Sequence, residues 1–236
     1  MTFSMKRVIA IFQKDMKDFY KNIYLSTTIL MPLIIAFIYG SMDNPTIEIH
    51  YLVINLTLAI VTAFVQCTII AEEKEKNTLR GLMLSPATIP EILGGKSLVT
   101  FILTMITVVI CAMLTGYEPT NIGLIAFAIV ISSMFYIALG TLMGLISRTV
   151  MEASVLVLPV LFIFGFGSMF QAFEEQYPIL SVIGYLPNIQ LIELANAVEA
   201  GSGFVDVLGN LSIIVAWVVV VMIATVIVFK KRELDE

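Results

Sequence analysis

One tripeptide in this chain has the residue types of a nucleotide site, Gly95-Lys96-Ser97. A phosphate loop also needs a glycine five residues before the second glycine, so that backbone N–H groups can cradle the phosphates. Position 90 is Pro90, and nucleotide binding by this chain is rejected. His50 is the single histidine, and no His, Cys and carboxylate residues stand at metal-ligand spacing. Cys67 and Cys111 both fall inside apolar runs and form no disulfide framework. No nucleophile is paired with a base, as a membrane protease or other membrane enzyme would require. Catalytic and metal residues are therefore expected to be none, and no nucleic-acid partner is expected.

The residues that remain suggest mechanics rather than covalent chemistry. Thr62 and Gln66 stand one helical turn apart in the most polar apolar run, positioned to face a pore or a second subunit. Phe162, Phe166 and Phe170, with Phe173 beyond them, fall near one helix face and offer an aromatic gate. Residues 72–96 pack charges of both signs into a few positions and then place Leu79, Leu82 and Met83 at i, i+3, i+4. That spacing makes a short helix with an apolar stripe, and such a stripe in water wants a protein partner. Ser85-Pro86 should end it. Thr88-Ile89-Pro90-Glu91 then reads as a capping box opening the next helix.

These residues sit in a chain of 236 residues that is 59% apolar and only 13% charged. Soluble domains run at roughly 45–50% and 25%, so a soluble enzyme is excluded and lipid is the expected solvent. A span needs about 20 mostly apolar residues. Six stretches qualify: Ile23–Gly40, Tyr51–Ala71, Ser97–Gly116, Gly123–Ser147, Ala153–Phe173 and Leu211–Phe229, none holding Asp, Glu, Lys or Arg. Charge-free spans also argue against a proton- or sodium-coupled carrier, which keeps intramembrane charges for coupling. The fold class is thus an all-α integral membrane protein with six transmembrane helices. Gly140 and Gly144, four apart, should let the fourth span approach a neighbour closely.

The non-spanning segments fill out the organisation. Residues 1–22 read as an amphipathic helix lying in the membrane interface, its basic residues toward anionic headgroups. Residues 23–229 hold the six spans, the 72–96 loop and a 174–210 loop; residues 230–236 are a tail. Within 174–210, Pro178, Pro187 and Glu193 interrupt an apolar stretch, which reads as short re-entrant helices between spans five and six. All 13 Lys and Arg residues fall in 1–22, 72–96, 148–152 and the tail. The segments 41–50, 117–122 and 174–210 hold no Lys or Arg but several acidic residues, among them Glu48, Glu118, Glu199 and Asp206. The positive-inside rule places both termini in the cytoplasm of a plasma-membrane protein.

The run Glu73-Lys74-Glu75-Lys76-Asn77-Thr78-Leu79-Arg80-Gly81-Leu82-Met83-Leu84-Ser85-Pro86 resembles the signature of the type-2 ABC (ATP-binding cassette) exporter permeases, with Asn77 where the pattern has Gly. Tyr185-Leu186-Pro187-Asn188-Ile189-Gln190-Leu191-Ile192-Glu193 is similar to that family's segment before the last span. The resemblance implies a coupling helix in the loop, with Glu73, Glu75, Thr78, Leu79, Leu82, Met83 and Pro86 facing a separate ATPase. It implies two ATPase copies that bind ATP and Mg, and a second permease copy or paralogue. No cofactor is expected in this chain. The aromatic and apolar path candidates and the acidic exit side favour an amphipathic or hydrophobic cargo: a peptide toxin, an antimicrobial peptide or a drug. A stand-alone channel or secondary carrier, and a non-transporting membrane immunity protein, stay open.

Overall fold

A computed structural model describes residues 3–42, 45–78, 81, 85–171 and 177–235. The described residues hold helices and no strand. Helix α1 (Met5–Lys21) runs into α2 (Ile23–Gly40). Next come α3 (Ile47–Glu75), α4 (Ile89–Thr115), α5 (Ile122–Ile146) and α6 (Val150–Gly165). A short α7 (Gly167–Gln171) and a 3-10 turn at Pro178–Tyr185 lead to α8 (Pro187–Glu199) and α9 (Leu208–Asp235).

Five of these helices are long and apolar enough to cross a membrane: α2, α3, α4, α5 and the Leu208–Phe229 part of α9. They coincide with five of the six stretches expected from composition. The sixth, Ala153–Phe173, is not one continuous helix. Pro159 lies inside α6 and removes a backbone donor. The next turn, Leu161–Gly165, widens to π geometry, and Phe166 leaves the helical region at φ −109° and ψ 15°. The chain restarts as α7, so α6 is shorter than even the shortest of the five, the 18-residue α2.

Helix α3 is the axis of the bundle: its span window is wholly buried inside the protein. Buried side chains along it, from Tyr51 and Leu58 to Cys67 and Ala71, form one apolar core with α5, α6, α8 and α9. Helix α5 reaches it through the expected pair of glycines. A Cβ on Gly140 would stand 2.4 Å from the Ala63 carbonyl oxygen, and one on Gly144 would stand 2.6 Å from that of Cys67. Only hydrogen atoms fit there, which is the physical reason for both glycines.

Two sets of polar contacts mark the ends of the bundle. At one end Tyr51 meets Tyr117 at 3.2 Å, Tyr117 donates to Glu199 at 3.1 Å, and Asn210 donates to Gln190 at 2.9 Å. At the other end α1, the last turn of α3 and the first turn of α4 are bound through ion pairs. The basic residues of 1–22 and 72–96 that make these pairs share that end, as the charge partition requires.

Candidate functional site

The ion-paired end is built outward from three helices. Helix α1 carries Val8, Ile11, Asp15 and Phe19 on one buried face. Gly95 lets this face settle on α4, since a Cβ there would meet the Ile11 side chain at 2.8 Å. Beneath that contact lies Lys96, with 0% exposure. Its ammonium donates to Asp15 Oδ2 at 2.9 Å and to Glu73 Oε1 at 3.0 Å. Lys14 also pairs with Glu73 and reaches Asp15 at 3.2 Å. Thr78 donates its hydroxyl to the same Glu73 carboxylate. A buried charge without a partner costs several kcal/mol, so each member of this cluster depends on the others.

A second clasp lies one turn toward the N-terminus. Arg7 grips Glu91 by two bonds, Nε to Oε2 at 2.9 Å and Nη2 to Oε1 at 2.7 Å. Glu91 also accepts the backbone N–H groups of Thr88, at 2.7 Å, and Ser4. The expected capping box is therefore present, and it doubles as an anchor for the start of α1. Hydrogen bonding to Glu91 raises the Arg7 guanidinium above its ordinary value. Burial pulls the Lys14 ammonium down, but bonds and charges from Glu73 and Asp15 outweigh it and leave it raised.

The segment that follows is tied into the rest of the same end. Lys74 donates to the Leu145 carbonyl at 2.5 Å and to that of Ser147, the C-terminal carbonyls of α5. Glu75 accepts the Val150 N–H at 2.8 Å, at the start of α6. Asn77 then turns the chain with φ 55°, the left-handed conformation that Gly and, among other residues, Asn adopt most readily. That explains how Asn77 stands where the signature has Gly. Glu73 and Glu75 thus belong to the last turn of α3 and are committed to internal contacts. Ser85-Pro86 lies outside any helix, in a bend with Pro86 exposed. Leu79, Leu82 and Met83 fall outside the described residues.

The expected path residues divide into two groups. Gln66 is fully buried and bridges two helices: it accepts from Thr100 at 2.6 Å and donates to Thr141 at 3.0 Å. Thr62 pairs with Thr104 at 2.8 Å. Both residues join α3 to neighbouring helices of the same chain. Phe162 and Phe170 are exposed, and the Phe162 and Phe166 rings lie 6.3 Å apart. Two apolar grooves of about 450 and 500 Å³ run along the α4–α5 seam; Thr141, the partner of Gln66, lines the first, and neither is lined by Phe162, Phe166 or Phe170.

At the opposite end α8 is mostly buried, from Pro187 to Val198. Asn188 donates to the Ile163 carbonyl at 3.4 Å, where α6 breaks. Asn55 of α3 donates to the Asn188 carbonyl at 3.3 Å. Glu193 accepts from Gln190 at 2.9 Å. Pro178 opens the 3-10 turn.

Sequence reasoning missed Lys96 as the centre of the ionic cluster. Its signal was present: a lysine at the mouth of a span, between an amphipathic helix and a mixed-charge loop, needs buried carboxylates. Among the described residues no group of three His, Cys, Asp or Glu is placed to hold a metal.

Comparison with curated proteins finds no match. The family described as ABC-2 family transporter protein matches residues 49–227, from the first turn of α3 nearly to the end of α9's apolar part. That match covers well over half of the chain and contains both the Glu73–Pro86 signature and the α5–α3 glycine contact. The chain belongs to the ABC-2 transporter family, whose members are membrane permeases of ABC transporters.

Proposed function

We propose that this protein is the membrane-spanning permease subunit of an ATP-driven exporter, worked by a separate cytoplasmic ATPase. The supporting observation is the buried Asp15–Lys96–Glu73 cluster. It fixes the end of α3, which leads directly into the signature loop, to α1 and α4. The base of the loop, at the end of α3, is thereby joined to α1 and α4 through paired charges. The ATP-bound partner then favours one arrangement of the spans by binding it more tightly.

In this reading the chain crosses the membrane six times with both termini in the cytoplasm of a plasma-membrane protein. Helix α6 makes the fifth crossing despite its break. Its start at Val150 lies against Glu75, and its end at Ile163 lies against Asn188, at the opposite end of the bundle. Helix α8 and the turn before it are the outer re-entrant pair. Two such permeases, identical or paralogous, join two ATPases that carry ATP and Mg. The loop residues Leu79, Leu82 and Met83 enter the ATPase, and Phe162, Phe166 and Phe170 line the path of an amphipathic or hydrophobic cargo such as a peptide toxin or drug.

The test is affinity purification of the full chain from its native cells in mild detergent. A nucleotide-hydrolysing subunit should co-purify in equal amount, and the chain alone in lipid should hydrolyse no ATP. Transport by the purified chain on a pH gradient, with no ATPase present, overturns the reading in favour of a secondary carrier.

A further inference from the structure

Buried polar atoms in proteins are nearly all hydrogen-bonded, because an unpaired one loses water and gains nothing. Four such atoms in the interior of this bundle have no partner among the described residues. They are Asn55 Oδ1 on α3, Ser132 Oγ and Tyr136 Oη on α5, and Asn188 Oδ1 on α8. None of the four residues is more than 2% exposed. A fifth unpaired atom, His50 Nδ1, lies apart from them, on a ring stacked against Tyr117.

The glycine contact fixes the relative height of these groups. Gly140 packs on Ala63 and Gly144 on Cys67, so α3 and α5 run parallel and advance together by four residues. Counting back by the same steps sets Tyr136 level with Ala59 and Ser132 level with Asn55. The π turn Leu58–Phe64 in between alters this by about one residue. The break in α6 comes to the same height: a Cβ on Gly165 would stand 2.9 Å from Leu56 and 3.9 Å from Ala59. Asn188 reaches the break from α8 by donating to the Ile163 carbonyl, and Asn55 donates to the Asn188 carbonyl. The Tyr136 ring stands edge-on to Phe164, with centroids 5.9 Å apart. The four unpaired oxygens thus gather within about two helical turns around the point where α6 gives way.

Their chemistry selects the ligand. Each carboxamide turns its nitrogen to a backbone carbonyl, which leaves an oxygen that can only accept. The two hydroxyls can donate. Ser133 bonds the Val130 carbonyl, but its neighbour Ser132 bonds no carbonyl of its own helix. Two acceptors and two donors are the complement of water, which donates two hydrogen bonds and accepts two. A cation fits less well. No carboxylate is among the four groups, and Asn188 lies in the first turn of α8, the positive end of the helix dipole. We propose that Asn55, Ser132, Tyr136 and Asn188 form a binding site for one or two buried waters, which bridge α3, α5 and α8 at the break in α6. A broken helix is tolerated within a bilayer where side chains and ordered water bond the backbone it frees. Water can follow a small shift of α8 against α6 and still bond both sides, so a joint made this way stays satisfied while it moves. The site depends on neither an ATPase nor the number of crossings.

The test uses the full-length chain in lipid discs. A brief X-ray pulse makes hydroxyl radicals from water in place, so a buried side chain is oxidised only where water lies beside it. Tyr136 should be labelled. Cys111, which is also wholly buried and intrinsically more reactive, should not be, which shows that bulk radicals do not enter. Ser132→Ala, which removes one ligand and keeps the fold, should lose most of the Tyr136 label. Melting supplies a second readout with opposite signs for the two cases. Removing a dry, unpaired hydroxyl stabilises a protein, whereas removing one bonded to water strands the other partners. Tyr136→Phe and Ser132→Ala should therefore each lower the melting temperature by roughly 2–4 °C. Together they should cost less than their sum, because both act on the same water. A Tyr136→Phe protein that melts at or above the wild type overturns the proposal, as does a wild-type Tyr136 no more labelled than Cys111. A melting temperature that rises with sodium or potassium at constant ionic strength, and falls back in Ser132→Ala, also overturns it by assigning the oxygens to a cation.

Discussion

The Lys96 ammonium lies 3.0 Å from the Glu73 carboxylate although the two residues are 23 positions apart. The contact joins the first turns of α4 to the last turn of α3 inside a region sealed by α1. With Lys96 gone, Asp15 and Glu73 would face each other buried, with Lys14 alone between them. Lys96→Met should therefore destabilise the protein by on the order of 3 kcal/mol. Adding Asp15→Asn and Glu73→Gln should recover part of that loss, because the three residues act as one unit. Melting of the purified variants in detergent checks both outcomes. A Lys96→Met protein that melts with the wild type would show that the cluster carries no stability.

The glycine contact makes a second, independent prediction. Gly140→Ala and Gly144→Ala each push a methyl group onto a backbone carbonyl of α3, and backbone cannot step aside as a flexible side chain can. Each should cost roughly 1–3 kcal/mol. Gly94 also lies in a helix but has open space around it, and Gly94→Ala should be neutral or slightly stabilising. Thermal unfolding of the three variants separates close approach from a general loss of glycine flexibility.

The buried Gln66 amide ties α3 to both α4 and α5 through Thr100 and Thr141. Gln66→Leu leaves two threonine hydroxyls without that partner. Thr141 already bonds its own helix through the Ile137 carbonyl, and the Thr100 hydroxyl can turn to a carbonyl one turn back as threonines in helices do, so the loss should be modest, about 1 kcal/mol. A melting curve of Gln66→Leu beside Gln66→Glu checks this. The glutamate adds a buried charge and should be much the worse of the two.

Composition and charge made much of this arrangement legible. Apolar runs between charged segments located the five long helices, because lipid tolerates no unpaired charge along their length. The Thr88–Glu91 cap and the Gly140–Gly144 approach were readable because each is a local pattern with one geometric meaning. The break at Phe166 was not readable: Ala153–Phe173 has the composition of a span throughout, and only the packing around Pro159 and Asn188 shows where the helix gives way. Which carboxylates pair with Lys96 was hidden for a different reason. Its partners, Asp15 and Glu73, come from two other segments, and nothing local in Gly95-Lys96-Ser97 announces them. Glu73, which the resemblance puts among the residues facing an ATPase, makes its contacts with Lys96, Lys14 and Thr78 from other segments or across the turn, and no pattern in 72–96 names them.

The turn at Asn77 carries the next prediction. At φ 55° a residue with a branched Cβ pushes against its own carbonyl, at a cost of roughly 1–2 kcal/mol. Asn77→Gly should leave stability unchanged or slightly improved, while Asn77→Val should lower it and misdirect the loop that follows. Measuring both melting and capture of the ATPase separates the two effects. If Asn77→Val binds and melts as the wild type does, the left-handed turn is not what aims the loop.

The commitment of Glu73 also changes what mutation of the loop should do. The proposed function puts Leu79, Leu82 and Met83 into the ATPase, and truncating one well-packed anchor typically costs on the order of 2 kcal/mol, roughly thirty-fold in affinity. Leu82→Ala should weaken capture of the ATPase while insertion and melting stay as in the wild type. Glu73→Ala should behave in the opposite order. It strips Lys96 of one of its two carboxylates and Lys14 of one of its partners, so melting falls first and capture falls because α1 and the loop base have loosened. Raising salt should change the Glu73→Ala result little, since a buried pair is weakly screened, whereas a rim charge would respond strongly. Pull-down at low and high salt, paired with a melt of each variant, distinguishes the two roles. Wild-type capture by Leu79→Ala, Leu82→Ala and Met83→Ala alike would remove this loop as the coupling element.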